Sequence, residues 1–269
     1  MIKKFNIFLR VLTGAVLVCV VGCASGVKIP EIAKCPLPPV QSMKVPDGSA
    51  LPDQEKLVYH VKWLGITAGE IVAEIKGHVM WKDRPCYLID VSARTVGFAA
   101  SIYKVDDHYT SYLDAEKYYT LRHEERRHEG GFQKNAVTDF DHTAGKAYFT
   151  NATDGSHKVF DIPAGVQDTV TAAYAARLLP LEAGKVFAFK VSNSEKIYDL
   201  YATVTQRTKI PYGGLEVNTL HLVPFASING CEVREGRVSG FLSDDKRKIP
   251  LLVVIKAPVF TQVTATLVP

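Results

Sequence analysis

The sequence has few cysteines, and their spacing excludes the usual cysteine-based sites. It holds five cysteines in 269 residues, with no Cys-x-x-Cys pair and no Cys/His cluster of the kind that binds zinc. Cys19 and Cys23 lie near the N-terminus, which leaves Cys35, Cys86 and Cys231. Three thiols allow at most one disulfide within the chain. Cys86 and Cys231 both adjoin strand-like segments and are the pair to test first; three unpaired thiols are the alternative.

The sequence also has little excess of positive over negative charge. The chain has 32 basic and 28 acidic residues, and residues 1–22 hold three of the basic ones and none of the acidic ones. The remainder therefore carries a formal net charge of only +1. Nucleic-acid-binding domains normally show a clear basic excess on one face, so we expect no nucleic-acid partner.

Recurring catalytic and cofactor motifs are missing as well. The sequence contains no Gly-x-Ser-x-Gly, no phosphate-binding glycine loop and no Rossmann fingerprint, so we predict no cofactor. Carboxylates at 106–107, 139–141 and 244–245 could serve acid–base chemistry. Asp residues before turns, however, usually hold backbone amides. Enzymatic activity stays open, and the sequence favours a protein that is not an enzyme.

One long apolar run opens the chain. Lys3, Lys4 and Arg10 give a positive start, an apolar run follows from Val11 to Val21, and Val-Val-Gly-Cys23 closes it. This layout is typical of a bacterial secretory signal, and its last four residues resemble a lipobox. The run is short for a bilayer span. We predict a lipoprotein signal peptide over residues 1–22 and lipidation of Cys23; an uncleaved anchor helix and an ordinary signal peptide with a chance cysteine are the alternatives.

The next segment resembles a tether. Residues 23–54 are rich in proline and include Cys-Pro-Leu-Pro-Pro at 35–39, which is typical of an extended chain with polyproline character. Ala24 and Ser25 follow the lipidation site, with no Asp to signal inner-membrane retention. The expected location is therefore the cell envelope, anchored by lipid in the outer membrane and facing the periplasm.

From residue 55 the dominant period is two. Leu57, Tyr59 and Val61 alternate with polar or exposed-type residues such as His60 and Lys62, as in a half-buried strand. Similar runs follow, separated by Gly, Pro, Asn and Asp turn signals: 71–79, 87–93, 186–191, 197–205, 215–223, 251–256 and 263–268. We predict an all-β domain over residues 55–269, made of twelve to fifteen strands in curved, mostly antiparallel sheets. An open barrel and two β-rich halves both fit this pattern.

One segment breaks the alternation. Asp168 is a good N-cap, the residues up to Leu179 are strong helix formers, and Pro180 ends the run. We predict a single mid-chain helix near 169–179, with Val170, Tyr174 and Leu178 on the stripe that docks on a sheet.

Several stretches together resemble a bacterial family catalogued as domain of unknown function 3108. They are residues 55–66 with Gly69, residues 102–107, Asp168 with Tyr174 and Arg177, Gly184, and residues 242–250. Their order and spacing cover residues 55 to about 267. The resemblance implies an exported, β-rich envelope protein, often lipidated. It carries over no activity and no catalytic residue.

The densest charged segment is His123–Glu129. Its two histidines are five apart rather than four, so on a helix they cannot share one metal, and on a strand they point to opposite faces. We predict a charged outer face with cross-strand ion pairs, and no metal site.

The aromatic content suggests a place for a ligand. Tyr103 and Tyr109 belong to a tyrosine-rich third of the chain that could line the concave side of a curved sheet, where an apolar trough would suit an acyl chain or a glycan ring. Lys246 and Arg247 could flank it for an anionic headgroup. Arg177 joins the candidate set through the family resemblance, although a joint between two β halves explains it as well.

These observations favour a non-catalytic, lipid-anchored envelope protein. It would bind or carry an amphipathic ligand, a lipid or glycolipid, or act as an envelope assembly factor. Its expected partners are the membrane, through the N-terminal anchor, and a lipid, a glycan or an envelope protein. A periplasmic hydrolase acting on an envelope polymer is the alternative.

Overall fold

The structure is a computed structural model. It describes residues 40, 44–194, 196–228, 231–233, 237–256 and 262–269. The predicted signal peptide, the lipidation site Cys23 and most of the predicted tether therefore lie outside the described residues.

One curved sheet dominates the fold, as the strand pattern predicts. Its strands are β1 (Glu55–Trp63), β2 (Ile66–Trp81), β3 (Arg84–Thr95), β4 (Asp106–Asp114), β5 (Thr120–Glu129), β6 (Phe132–Asp141), β7 (Lys146–Asn151), β8 (Ser156–Asp161), β9 (Gln167–Asp168), β10 (Val186–Asn193), β11 (Lys196–Tyr212), β12 (Leu215–Ile228), β13 (Cys231–Val233), β14 (Arg237–Ser243), β15 (Pro250–Lys256) and β16 (Gln262–Leu267). The helices of the described part are α1 (Gly97–Ile102) and α2 (Thr169–Leu178). The fold is all-β with a mid-chain helix.

The two halves of the chain form a single sheet rather than two. Its order is β8-β7-β6-β5-β4-β3-β2-β1-β16-β15-β14-β12-β11-β10-β9, with β13 beside β12. The first and last strands pair antiparallel at its centre, with Val61 opposite Ala265. Neighbours are antiparallel except β9 and β10, which run parallel. The central pairing closes the chain on itself, so the halves share one hydrophobic core.

The side-chain alternation of β1 confirms the predicted register. Tyr59 and Val61 are 2% and 1% exposed, whereas His60 and Lys62 face water. A slip by one residue would bury two polar side chains, so the burial of the apolar pair fixes the register.

The sheet curls into an open barrel. Strands β6–β8 form one end of the sheet and β9 forms the other. The segment before β9 lies beside the start of β5, where Thr120 N donates to Val166 O at 3.2 Å. We call the end with the β1–β2 turn, α1 and the β5–β6 turn the α1 end. The opposite end, where β1 begins, is the Glu55 end.

Helix α2 lies inside the curve of the sheet. Asp168 caps it as predicted, accepting from Val170 N (2.6 Å) and Thr171 N (3.0 Å). Val170, Tyr174 and Leu178 pack into the core formed with β1–β4 and β14–β16. Its other side packs on the core of β10–β12, through Ala172, Ala175 and Leu179. Burial on two sides makes α2 the filling of the barrel rather than a surface element.

The structure departs from two expectations of the sequence analysis, the extent of the tether and the pairing of Cys86 with Cys231. Residues 44–54, which the sequence pattern predicts to be part of the tether, adjoin β1 and lie against the barrel: Leu51 is 5% exposed, and its carbonyl accepts from Tyr87 Oη at 3.4 Å. Cys86 is a free, buried thiol, so the disulfide with Cys231 is not formed. Burial raises the pKa of the Cys86 thiol to about 11, which makes it unreactive.

Within the described part of the chain, neither helix has the length and apolar character needed to cross a membrane.

Candidate functional site

The five residues predicted to bind a ligand lie in two groups. Tyr103 and Tyr109 belong to the side of the barrel formed by β4 and β5, whereas Arg177 ends α2 and Lys246 and Arg247 lie in the β14–β15 loop. Arg177 and Tyr109 are buried, Tyr103 is half-buried, and the two loop residues are exposed. Tyr103 binds the β5–β6 turn through Glu129 O, whereas Arg177 binds Glu55 and the β14–β15 loop, so the two groups do not form one site.

Arg177 forms a buried ion pair at the Glu55 end. Its guanidinium binds the Glu55 carboxylate through two bonds of 2.6 and 2.8 Å, and its Nε donates to Arg247 O at 3.0 Å. The side chain is 4% exposed. Arg177 thus ties the helix to the first residue of β1 and to the β14–β15 loop, which is the geometry of a joint.

Tyr103 covers the β5–β6 turn. Its hydroxyl donates to Glu129 O at 3.0 Å, and its ring lies over Gly130. A Cβ at Gly130 would come within 2.7 Å of that ring, and the glycine has a φ of +58°. The turn therefore needs glycine for both space and conformation.

Tyr109 lies beside a buried pair of carboxyl groups. Its hydroxyl donates to Asp107 Oδ2 at 3.3 Å, and Asp107 Oδ1 accepts from His128 N at 2.8 Å. Arg127 binds Glu129 and lies 3.7 Å from Asp107 Oδ2. Burial and the neighbouring Glu129 raise the pKa of Asp107 to about 7. Two carboxyl groups here share one guanidinium, so one proton is readily held between them.

The predicted outer face of His123–Glu129 is therefore wrong for the alternate residues that point inward. His123, Glu125 and Glu129 are 9%, 7% and 3% exposed and face the interior. His128 lies on the opposite face, as the strand spacing predicts. The reason is that the inner face of β5 meets polar groups from α2 and from the β10–β11 turn, which satisfy its charges.

One of these inner contacts combines a serine, a histidine and an aspartate. Ser111 Oγ lies 2.9 Å from His123 Nδ1, and Asp168 Oδ1 lies 3.5 Å from the same nitrogen. A hydrolytic triad uses the two ring nitrogens for the two partners, and Ser111 is fully buried. Thr120 Oγ1 also donates to Asp168 Oδ2 at 3.0 Å. The arrangement anchors the start of α2 to β4 and β5 and does not present a nucleophile.

A second inner contact joins the two arms of the sheet. Lys134 Nζ binds the Glu125 carboxylate and lies 2.5 Å from Ser194 Oγ, in the turn after β10. Ser194 Oγ in turn lies 3.2 Å from Glu125 Oε1. Buried polar networks of this kind rigidify a fold when each member is satisfied.

Sequence reasoning missed these inner polar residues, although a signal was present. His123, Glu125, Arg127 and Glu129 recur with a period of two, which places all four on one face of a strand. Their burial depends on partners far along the chain. Among the described residues, no group of three or more His, Cys, Asp or Glu side chains is placed to hold a metal ion.

The apolar trough expected for a ligand is occupied. The concave face that would line it is packed by Tyr174, Val170 and Leu178 of α2. Along the described strands, α2 therefore occupies the place that an acyl chain would take.

Exposed apolar side chains gather instead at the α1 end. Leu64 and Ile66 in and after the β1–β2 turn are each 68% exposed, and Phe98 and Ile102 of α1 are 77% and 46% exposed. The two segments adjoin because Val96 N donates to Ala68 O at 3.0 Å. We call these four residues the apolar rim.

Two lysines accompany the apolar rim. Lys62 precedes the β1–β2 turn and Lys104 follows α1, and both are exposed without an acidic partner among the described residues. The Glu70 carboxylate on the adjoining strand is paired with Arg94 at 2.7 Å, and the Asp106 carboxylate lies 3.4 Å from His108 Nε2. The rim therefore combines apolar area with the positive charge of two lysines.

Comparison with solved structures supports the fold. A β-barrel-like protein of domain of unknown function DUF1849 from Brucella abortus aligns with a TM-score of 0.55 over 82% of this chain and 97% of that one. The identity is 10%, so the likeness shows the fold alone. Among curated proteins, none matches the sequence. The family model described as protein of unknown function (DUF3108) matches residues 58–268, nearly the whole barrel, and the chain therefore belongs to the DUF3108 family.

Proposed function

We propose that the protein is a non-catalytic, lipid-anchored component of the cell envelope whose barrel rests on a membrane surface through the apolar rim. The carrying observation is the rim itself. Leu64, Ile66, Phe98 and Ile102 expose large apolar side chains on two adjoining segments, and such patches mark protein or membrane contacts. Lys62 and Lys104 favour an anionic lipid surface over a neutral protein face.

The filled interior supports a protein that contacts a membrane surface over one that carries a lipid inside the barrel. A carrier of an acyl chain needs a continuous trough, and α2 occupies that space with buried side chains on both of its sides. The hydrolase alternative gains no support from the buried serine, histidine and aspartate, because both partners meet one imidazole nitrogen. Docking on a surface requires neither a cavity nor a reactive group.

The predicted anchor is compatible with this orientation. The described chain reaches the barrel at the Glu55 end, opposite the rim, and β1 of nine residues spans about 30 Å. Residues 23–43 can extend to about 70 Å at most. An acyl group on Cys23 could therefore lie in the same membrane that the rim contacts, which we place in the outer membrane facing the periplasm.

The energy of the contact follows from its area and charge. Partial insertion of four large apolar side chains contributes about 4–6 kcal/mol, and each lysine adds about 1 kcal/mol near anionic lipid. The sum corresponds to a dissociation constant of about 1–100 µM accessible lipid. Such a contact is weak enough to be reversible, and the predicted acyl anchor would supply the permanent attachment.

A cleavable tether tests this proposal. The full-length lipoprotein, with a protease site inserted near residue 40, is reconstituted into vesicles that contain phosphatidylglycerol and is then cut. We expect the released barrel to stay on the vesicles at low salt. The Ile66→Ser/Phe98→Ser variant should lose more than about 30-fold in lipid affinity, because two large side chains no longer insert.

Met80→Ser is the matched control. Met80 is 66% exposed on the same strand as Ile66, but it lies at the far end of β2, and its loss should leave vesicle binding unchanged. Complete release of the wild-type barrel at about 1 mM lipid or above, or equal loss in the control, would contradict the proposal.

A further inference from the structure

A polar cleft of about 410 Å³ lies near the α1 end, on the outer face of β4–β6. The register places Arg126 opposite Asn135 and His128 opposite Gln133, so the four side chains share one face. Thr153, in the turn after β7, forms a wall because its Oγ1 accepts from Asn135 N at 2.8 Å.

Four polar side chains of this cleft have no partners in the part of the chain that the structure describes. Among the described residues, those of Arg126, His128, Gln133 and Asn135 make no hydrogen bond or ion pair. Other basic residues of β5 and β6 behave differently. Arg122 is bound to Glu124 and Asp139 at 2.6 and 2.8 Å, and those of the inner face are also paired.

This contrast distinguishes the cleft from an ordinary charged surface. Charged residues on β4 and β5 are generally paired, either within a strand or across strands, and the ones left unpaired among the described residues converge on a single concavity. Its volume is at the lower end of the range for small-molecule sites, which suits a ligand of the size of a small sugar derivative.

We propose that this cleft binds a hydroxyl-rich ligand with one anionic group, such as a sugar phosphate or a sugar acid, either free or as the headgroup of a lipid. The Arg126 guanidinium presents the planar fork that binds phosphate or carboxylate through two bonds. The side-chain amides of Gln133 and Asn135 offer both donors and acceptors, as hydroxyl groups require. The carboxylate of Asp106 at the edge accepts from a hydroxyl and repels a second anionic group.

The site does not depend on the membrane contact of the barrel, so a soluble probe tests it separately. The full-length protein, purified in detergent, is titrated calorimetrically with inositol 1-phosphate, myo-inositol and inorganic phosphate. We expect inositol 1-phosphate to bind at least 10-fold more tightly than either fragment. Arg126→Gln should weaken its binding at least 10-fold, and Gln133→Ala should weaken it by a smaller factor.

Arg94→Gln is the matched control, because Arg94 is exposed on the neighbouring β3 and outside the cleft. Its affinity should equal that of the wild type. Equal affinity of the wild type and Arg126→Gln for inositol 1-phosphate would overturn the proposal, as would absence of binding at millimolar probe. Equal affinity for inorganic phosphate would also overturn it, since the hydroxyl groups would then contribute nothing.

Nanodiscs distinguish the two sources of the ligand. In a Phe98→Ser background, which weakens the rim, binding to discs containing phosphatidylinositol is compared with and without Arg126→Gln. Loss of disc binding on that substitution would identify a lipid headgroup as a source. Loss of soluble-probe binding alone would identify a free sugar phosphate; both results uphold the site.

Discussion

Replacing Arg177 with methionine should destabilise the barrel strongly, because the substitution leaves a buried charge without its partner. The Glu55 side chain is 10% exposed and accepts two bonds from the guanidinium. Removing one member of a buried ion pair costs about 3–5 kcal/mol. Domains of this kind have about 5–15 kcal/mol in total, so a large part of the stability would be lost.

The double variant Glu55→Leu/Arg177→Met separates the pair from other effects. With both charges gone, no unpaired carboxylate remains in the core, and apolar replacement of a buried pair is often neutral or stabilising. We therefore expect the double variant to recover most of the loss. Arg207→Met is the control for an exposed pair, since Arg207 is 62% exposed beside Asp244, and it should cost no more than about 1 kcal/mol.

Urea denaturation followed by circular dichroism and by tryptophan fluorescence measures these differences. Coincident transitions for the two signals establish that the barrel and α2 unfold together. A loss of less than about 1 kcal/mol in Arg177→Met, or a double variant no better than the single one, would refute the reasoning. An Arg177→Ala variant that melts normally but loses its envelope phenotype would instead place Arg177 in a binding site.

Three further predictions address the interior, the register and the anchor. Burial raises the pKa of Asp107 from its usual 3.8 to about 7. Between these two pH values the folded state holds a proton that the unfolded state releases. The free energy of unfolding therefore falls by up to about 4 kcal/mol as pH rises from 4 to 7. Asp107→Asn should therefore stabilise the protein more at pH 8 than at pH 5 in urea titrations; an equal effect at both pH values would contradict this. Val61→Lys should lower the melting temperature far more than His60→Lys, because only the first places a charge in the core, and equal melting temperatures would show the register to be wrong. Cys23→Ser should block acylation and leave an unprocessed precursor, and a labelled fatty acid on that variant would disprove lipidation at this residue.

Local features of the sequence predicted the elements well. The alternation of Tyr59 and Val61 with His60 and Lys62 is a property of one strand, and β1 has that register. The helix over 169–179 followed from Asp168 and Pro180, and α2 ends one residue earlier, at Leu178. Caps and alternation are short-range signals, which is why a single sequence is enough to find them.

The placement of these elements could not be predicted in the same way. The stripe of α2 indicated docking on one sheet face, whereas the helix is buried on two sides because the sheet curls around it. The burial of His123 and Glu125 depends on their contacts with Asp168 and Ser194. These partners lie far along the chain, and no local pattern encodes such contacts. Helix α1 was missed because it has only six residues and Val96 supplies no side-chain cap.

The predicted ligand residues illustrate the same limit. Tyr103 is predicted from aromatic content and Arg177 from the family resemblance, and the structure places them apart: the first covers a turn at the α1 end and the second forms an ion pair at the Glu55 end. Aromatic content and basic charge are compositional signals, and they carry no information on how far apart two residues lie in the folded protein. The apolar rim likewise depends on the adjacency of the β1–β2 turn and α1, which only the folded sheet creates.

The contact of the barrel with lipid is the central claim, and the two tryptophans of the chain test it directly. Trp63 directly precedes Leu64, a residue of the apolar rim. Trp81 is the last residue of β2 and lies about 50 Å away along that strand. In vesicles with brominated acyl chains, the reconstituted Trp81→Phe variant should show strong quenching of its remaining Trp63 fluorescence, and the Trp63→Phe variant should show little quenching of Trp81. Equal quenching of the two, or quenching of Trp81 alone, would contradict a membrane contact through the α1 end.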